Sequence, residues 1–154
     1  MDRGPEGTVR AKEGRGSLDA GPRGPYKPDV STAVTDGIRV TVKSAFRPDR
    51  SEAGRFLFTY TVQIRNEGSA PAQLMSRHWT ITDANGERNE VVGEGVVGHQ
   101  PHVAPGEEFE YTSFCVLQTQ HGSMHGTYRM VREDGAPFDV EIAPFALVVP
   151  SALN

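Results

Sequence analysis

Phe56-Leu57-Phe58-Thr59-Tyr60-Thr61-Val62-Gln63-Ile64-Arg65 decides the fold class. Its even positions are aromatic or β-branched, and its odd positions are mostly polar. Successive side chains of an extended chain point to opposite faces, so this run builds one apolar face and one wet face. A helix of the same residues would scatter them around its axis. Towards the N-terminus, Ile38, Val40 and Val42 alternate with Arg39, Thr41 and Lys43 in the same way. Towards the C-terminus, Leu74 opens a run that Trp79 and Ile81 continue in the opposite parity. A parity change within one strand predicts a bulge near Ser76–Arg77. Asn85-Gly86 then predicts a hairpin turn, because both residues tolerate positive φ, with Glu87 to Val92 as the return strand.

Phe109, Tyr111, Ser113, Cys115 and Leu117 form the next alternation, after the turn signal Ala104-Pro105-Gly106. Met124, Gly126, Tyr128 and Met130 follow, then a turn at Glu133-Asp134-Gly135. Phe138, Val140 and Ile142 make a last strand. Ala143-Pro144 breaks it, and Phe145, Leu147 and Val149 resume in shifted register, which places an edge or a bulge there. Helical periodicity is absent throughout. The expectation is an all-β, antiparallel sandwich of about seven or eight strands.

Residues 1–30 read differently. They hold six Gly and four Pro and almost no large apolar side chains. Such a segment buries too little surface to offset its conformational entropy, so a disordered extension is expected there. The sandwich domain is assigned to residues 31–154. The formal net charge is −4, so no overall basic field attracts nucleic acid or an anionic membrane. Cys115 is the single cysteine and forms no internal disulfide. No apolar run reaches the roughly 18 residues that span a bilayer, and Met1-Asp2-Arg3-Gly4-Pro5 leads into no apolar signal stretch. These features predict a cytoplasmic protein without nucleic-acid or membrane partners.

Gly93-Glu94-Gly95-Val96-Val97-Gly98, followed by Gln100-Pro101 and Ala104-Pro105-Gly106-Glu107-Glu108, resembles the ApaG family. So do the stretches Phe58 to Asn66, Arg77 to Thr82 and Gly122 to Met130. The resemblance runs from about Thr35 to Pro150. It implies an immunoglobulin-like, fibronectin type III-like sandwich, in agreement with the alternation. It also implies a setting in cobalt and magnesium homeostasis and, from the family's eukaryotic relatives, a portable protein-binding module.

Gly93-x-Gly95-x-x-Gly98 spells the dinucleotide fingerprint, but that fingerprint needs a helix to receive the pyrophosphate. Here Pro101 and Pro105 follow and forbid one. A concave anion nest of backbone N–H groups remains open for a phosphate-containing ligand, although Glu94 would repel it. The competing reading is that the glycines supply positive φ or close packing. His99 and His102, and His121 and His125, form two pairs whose spacings match no metal motif, so no metal site is assigned. Glu107, Glu108 and Glu110 read as a solvated face. No Gly-x-Ser-x-Gly elbow is present, and Cys115 shares the parity of apolar neighbours. No catalytic residue and no cofactor are expected.

The functional expectation is a non-enzymatic binding module for a protein partner. Its contact loop is assigned to Gly93, Gly95, Gly98, Gln100 and Pro101. The alternative is a binder of phosphate compounds, pyrophosphate included, or of divalent cations at the same loop. Edge pairing into a homodimer is compatible with the fold.

Overall fold

The computed structural model describes residues 30–150. The expected N-terminal extension at residues 1–30 therefore lies almost wholly outside the described residues. Nine strands follow in order: β1 (Val30–Thr35), β2 (Ile38–Phe46), β3 (Phe56–Asn66), β4 (Ala72–Asp83), β5 (Arg88–Glu94), β6 (His102–Val103), β7 (Glu108–Leu117), β8 (His121–Val131) and β9 (Pro137–Val148). One sheet has the order β1-β2-β3-β7. The other has the order β5-β4-β8-β9, with β6 pairing β4. Every ladder is antiparallel. Strands beyond the expected count come from the edge strand β1 and the two-residue β6.

The alternation of β3 resolves as it reads. Phe58, Tyr60, Val62 and Ile64 are fully buried, as are Val40 and Val42 of β2. Trp79 of β4 lies between the sheets, with ring centroids 5.3 Å from Tyr60, 5.9 Å from Phe145 and 6.4 Å from Tyr128, all near edge-to-face. That arrangement suits the quadrupoles of the rings. The indole N–H is buried without a hydrogen-bond partner among the described residues, which costs about 1–3 kcal/mol against this packing. Gly126 faces Trp79 across the ladder, and a Cβ there would come within 2.0 Å of the His78 carbonyl oxygen. Glycine is required at that position by close approach.

The β4 bulge falls between Leu74 and Ser76, so Met75 is the extra residue, slightly before the expected position. In β9, Ala143 and Pro144 are accommodated as an irregularity opposite His125, and the strand continues through them. At the β4–β5 hairpin only Gly86 takes positive φ (85°), and Asn85 does not. The Asp83 carboxylate instead accepts the N–H groups of Asn85 and Glu87 at 2.8 and 2.9 Å, so an aspartate-stabilised turn replaces the expected paired-positive one. The β1–β2 connection uses that geometry, with Asp36 at φ 48° and Gly37 at φ 84°. Asn66, fully buried at the end of β3, donates to the carbonyls of Ala70 and Val103 and accepts from Gly68 N–H. That hub fixes the approach to β6 and β7.

Candidate functional site

The chain between β5 and β6 carries the glycines, and its shape starts from the β4 bulge. Met75 is pushed out of the ladder, which frees its carbonyl oxygen for the loop. That oxygen accepts Gly95 N–H at 2.9 Å and the Gln100 side-chain amide at 3.0 Å. Gln73 donates to Gln100 O at 3.0 Å, and Leu74 N–H to Pro101 O at 2.9 Å. Arg77, paired in register with buried Tyr128, sends one guanidinium nitrogen to the carbonyls of Glu94 (3.1 Å) and Gly95 (2.9 Å). Together these bonds clamp the loop onto β4 from Glu94 to Pro101. Each contributes about 0.5–1.5 kcal/mol, so a collective opening is costly.

Within the clamp, Val96 and His99 exchange backbone hydrogen bonds of 2.8 Å in both directions. The two residues between them, Val97 and Gly98, have φ of 40° and 84°. Two positive φ values inside a two-residue turn are the signature of a primed hairpin turn. Glycine suits this geometry; valine does not, because its branched Cβ crowds the backbone in the left-handed region. Such a residue stores roughly 1–3 kcal/mol and persists only where its surroundings over-determine it. Here the Val97 side chain packs against the core and the clamp fixes both flanks. Gly98 and His99 are exposed at the tip. The His99 ring rests edge-on against Phe109 of β7, with centroids 6.2 Å apart.

Each expected site residue now has a local role. Gly93 is a strand residue of β5 opposite Arg77. Gly95 (φ 64°) is buried, and a Cβ there would lie 2.4 Å from His99 O. Gly98 is a turn residue with open space around it. Gln100 and Pro101 hold the loop to β4. The N–H groups of Gly95, Val96 and His99 are engaged within the fold, which leaves few for an anion nest. Arg77, Met75, Val97 and His99 were not assigned to the site from sequence. Parity with Trp79 does point Arg77 inward, and that signal was readable.

The histidine pairs do not converge. His99 sits in the turn and His102 in β6, while His121 and His125 lie on exposed positions of β8. Among the described residues no three His, Cys, Asp or Glu side chains gather to hold a metal ion. Cys115 is fully buried. A shallow, open trough of about 470 Å³ runs beside the β9 irregularity, lined by Thr35, His125, Thr127, Asp139, Glu141 and Pro144, and lies away from the glycine loop. No described helix is long and apolar enough to cross a membrane.

Residues 47–132 match the family model described as the ApaG domain. The chain is similar to Protein ApaG of Anaeromyxobacter dehalogenans strain 2CP-C, with 73% identity over 125 residues that cover 81% of this chain and 100% of that protein. Protein ApaG of Methylococcus capsulatus is 48% identical over 119 residues, covering 76% of this chain and 94% of that protein. Among solved structures, an ApaA protein from Bordetella pertussis is 48% identical with a TM-score of 0.72, covering 82% of this chain and 98% of that one.

Proposed function

The chain belongs to the ApaG domain family, and we propose that it acts there as a non-enzymatic binding module that presents the turn Val96–His99 to a protein partner in the cytoplasm. The observation that carries this reading is the strained Val97 at φ 40°, held by clamps on both sides. A turn kept in an unfavourable conformation before any partner arrives needs no ordering on contact, and preorganisation of this kind raises affinity. The exposed Gly98 and His99 supply a backbone and an aromatic tip for that contact.

The competing small-ligand reading draws on the same loop. It has less support, because the amides of Gly95, Val96 and His99 are engaged internally and Arg77 is directed at carbonyls. Partner capture from a cytosolic extract of the source organism, compared between wild type and His99→Glu at equal urea midpoint, tests the protein-binding reading. Specific partners lost in the variant support it; identical partner sets with both proteins overturn it. Calorimetry against pyrophosphate, ATP, magnesium and cobalt tests the rival, and a saturable heat abolished by a change in the loop would favour it.

A further inference from the structure

Among the described residues the two sheets end on β1 and β7 and on β5 and β9, and these ends are not equally guarded. On one side β1 and β9 cover each other. Ser31 Oγ donates to Ala143 O at 2.9 Å, Thr35 Oγ1 accepts from Glu141 N–H at 3.1 Å, and Ser44 of β2 donates to Ala146 O at 2.7 Å. β9 also carries Pro137, Pro144 and the irregularity beside it. Prolines, bulges and side-chain cover are the means by which sheets blunt their edges. β5 is a shorter edge of seven residues.

β7 carries neither a proline nor a bulge, and the His99 ring touches it at one end, on Phe109. Among the described residues it pairs with β3 alone, in unbroken register from Phe56↔Leu117 to Arg65↔Glu108. Its outward row reads Glu108, Glu110, Thr112, Phe114, Val116, opposite in parity to buried Tyr111, Ser113, Cys115 and Leu117. One end is apolar: Phe114 sits across from Thr59, and Val116 from Leu57. The other end is acidic, and its charges are incompletely answered. Among the described residues Glu110 accepts from the neutral amide of Gln63 at 3.0 Å and meets no cation. Glu108 lies 3.7 Å from Arg65, whose guanidinium is shared with Glu67 at 3.9 Å.

We propose that β7 is a docking edge to which an extended segment of a partner protein adds as an antiparallel strand, with apolar side chains near its start and basic side chains near its end. Main-chain hydrogen bonds then supply affinity, and alternate side chains supply specificity. Antiparallel addition matches every other ladder in the molecule. It sets the order of the partner residues: apolar opposite Val116 and Phe114, small opposite Thr112, basic opposite Glu110 and Glu108.

The test is an amide NMR titration of the full chain with a capped nine-residue peptide. Its odd positions carry valine, isoleucine, threonine, lysine and lysine, with threonine between them. Shifts concentrated in β7 and β3 are expected. Glu108→Lys/Glu110→Lys should weaken binding by about tenfold, and a peptide with glutamate in place of both lysines should restore it on that variant. Glu110→Gln, which keeps an acceptor oxygen for Gln63, should show a smaller loss in the same direction. Unmoved β7 amides at millimolar peptide overturn the proposal, as do shifts centred on β5 or on the Val96–His99 turn. It also fails if β7 amides change with protein concentration alone, which assigns the edge to a second copy, or if the β7 amides that point away from β3 already resist exchange in the free chain. Failure here is separable from failure of the turn reading, since shifts centred on β7 and shifts centred on the Val96–His99 turn are distinct outcomes of the same titration, and Glu110→Gln lies outside the turn.

Discussion

Two turns in this molecule share a backbone and differ in what occupies it. Asp36-Gly37 joins β1 to β2 with φ values of 48° and 84°. Val97-Gly98 makes the tip of the β5–β6 loop with 40° and 84°. Aspartate is tolerated in the left-handed region and glycine is at ease there; a β-branched residue is neither. The first turn follows local preference. The second defies it, and the surroundings must hold it: Arg77 on two carbonyls, Gln100 on Met75, and the Val97 side chain against the core. A conformation imposed by its surroundings marks the second turn as the candidate recognition element.

The contrast can be strained from several directions. Gly95→Ala attacks the second turn most severely, because its Cβ would stand 2.4 Å from the backbone oxygen of His99. A loss of roughly 3 kcal/mol or more is expected, combining overpacking with positive φ, and read as a lower urea midpoint. Gly37→Ala and Gly98→Ala separate packing from torsion, since both have φ 84°. A Cβ at position 37 would meet Gly68 Cα at 2.9 Å, whereas one at position 98 meets open space. Chemical denaturation should place Gly37→Ala about 1–3 kcal/mol below Gly98→Ala; equal losses would mean torsion alone governs both turns.

Exchanging the odd residues is the next smaller effect. Asp36→Val should destabilise by about 1–2 kcal/mol. Val97→Asp should cost under about 1 kcal/mol, because relief of torsion offsets lost packing. Thermal midpoints of the two variants test that asymmetry, and a larger loss at position 97 would show that packing outweighs strain.

The smallest effect concerns pH. The Arg39 guanidinium hydrogen-bonds the Glu67 carboxylate at 2.8 Å and holds it below the usual glutamate range, and Glu67 N–H donates to Gly37 O. A depressed carboxylate stabilises the folded state above its unfolded value and ceases to as pH falls through its folded value. A slight loosening of the first turn is expected there, seen as faster amide exchange at Gly37, with no matching change at Gly98. Both side chains are well exposed, so the change in global stability should be small.

Much of the fold could be read directly. The β3 alternation, the inward Trp79, the buried Cys115 and the irregularity at Ala143-Pro144 follow from period two and from proline's missing donor. Asp36-Gly37 is a strong hairpin signal as well, yet it marks a strand, β1, whose apolar Val30 and Val34 are exposed, so its alternation does not follow burial. Asn85-Gly86 read too strongly: the Asp83 carboxylate chose a different turn, and side-chain capping of that kind is invisible to a two-letter motif. At the candidate site Gly95 and Gly98 are legible as positive-φ residues, whereas Gly93 belongs to β5. The clamp on the loop is not legible, since the Met75 carbonyl becomes available only through the bulge. Nor does any local rule place a valine at positive φ. The fold imposes it through contacts distant in sequence.

Recognition through a preorganised turn requires Val97 to be left-handed before any partner binds. Backbone couplings and carbon shifts of Val97 in the free full chain, measured beside those of Asp36, test this directly. A single left-handed population at both positions, with equally restrained fast motion, is the predicted result. An extended or averaging Val97 beside a fixed Asp36 would contradict it.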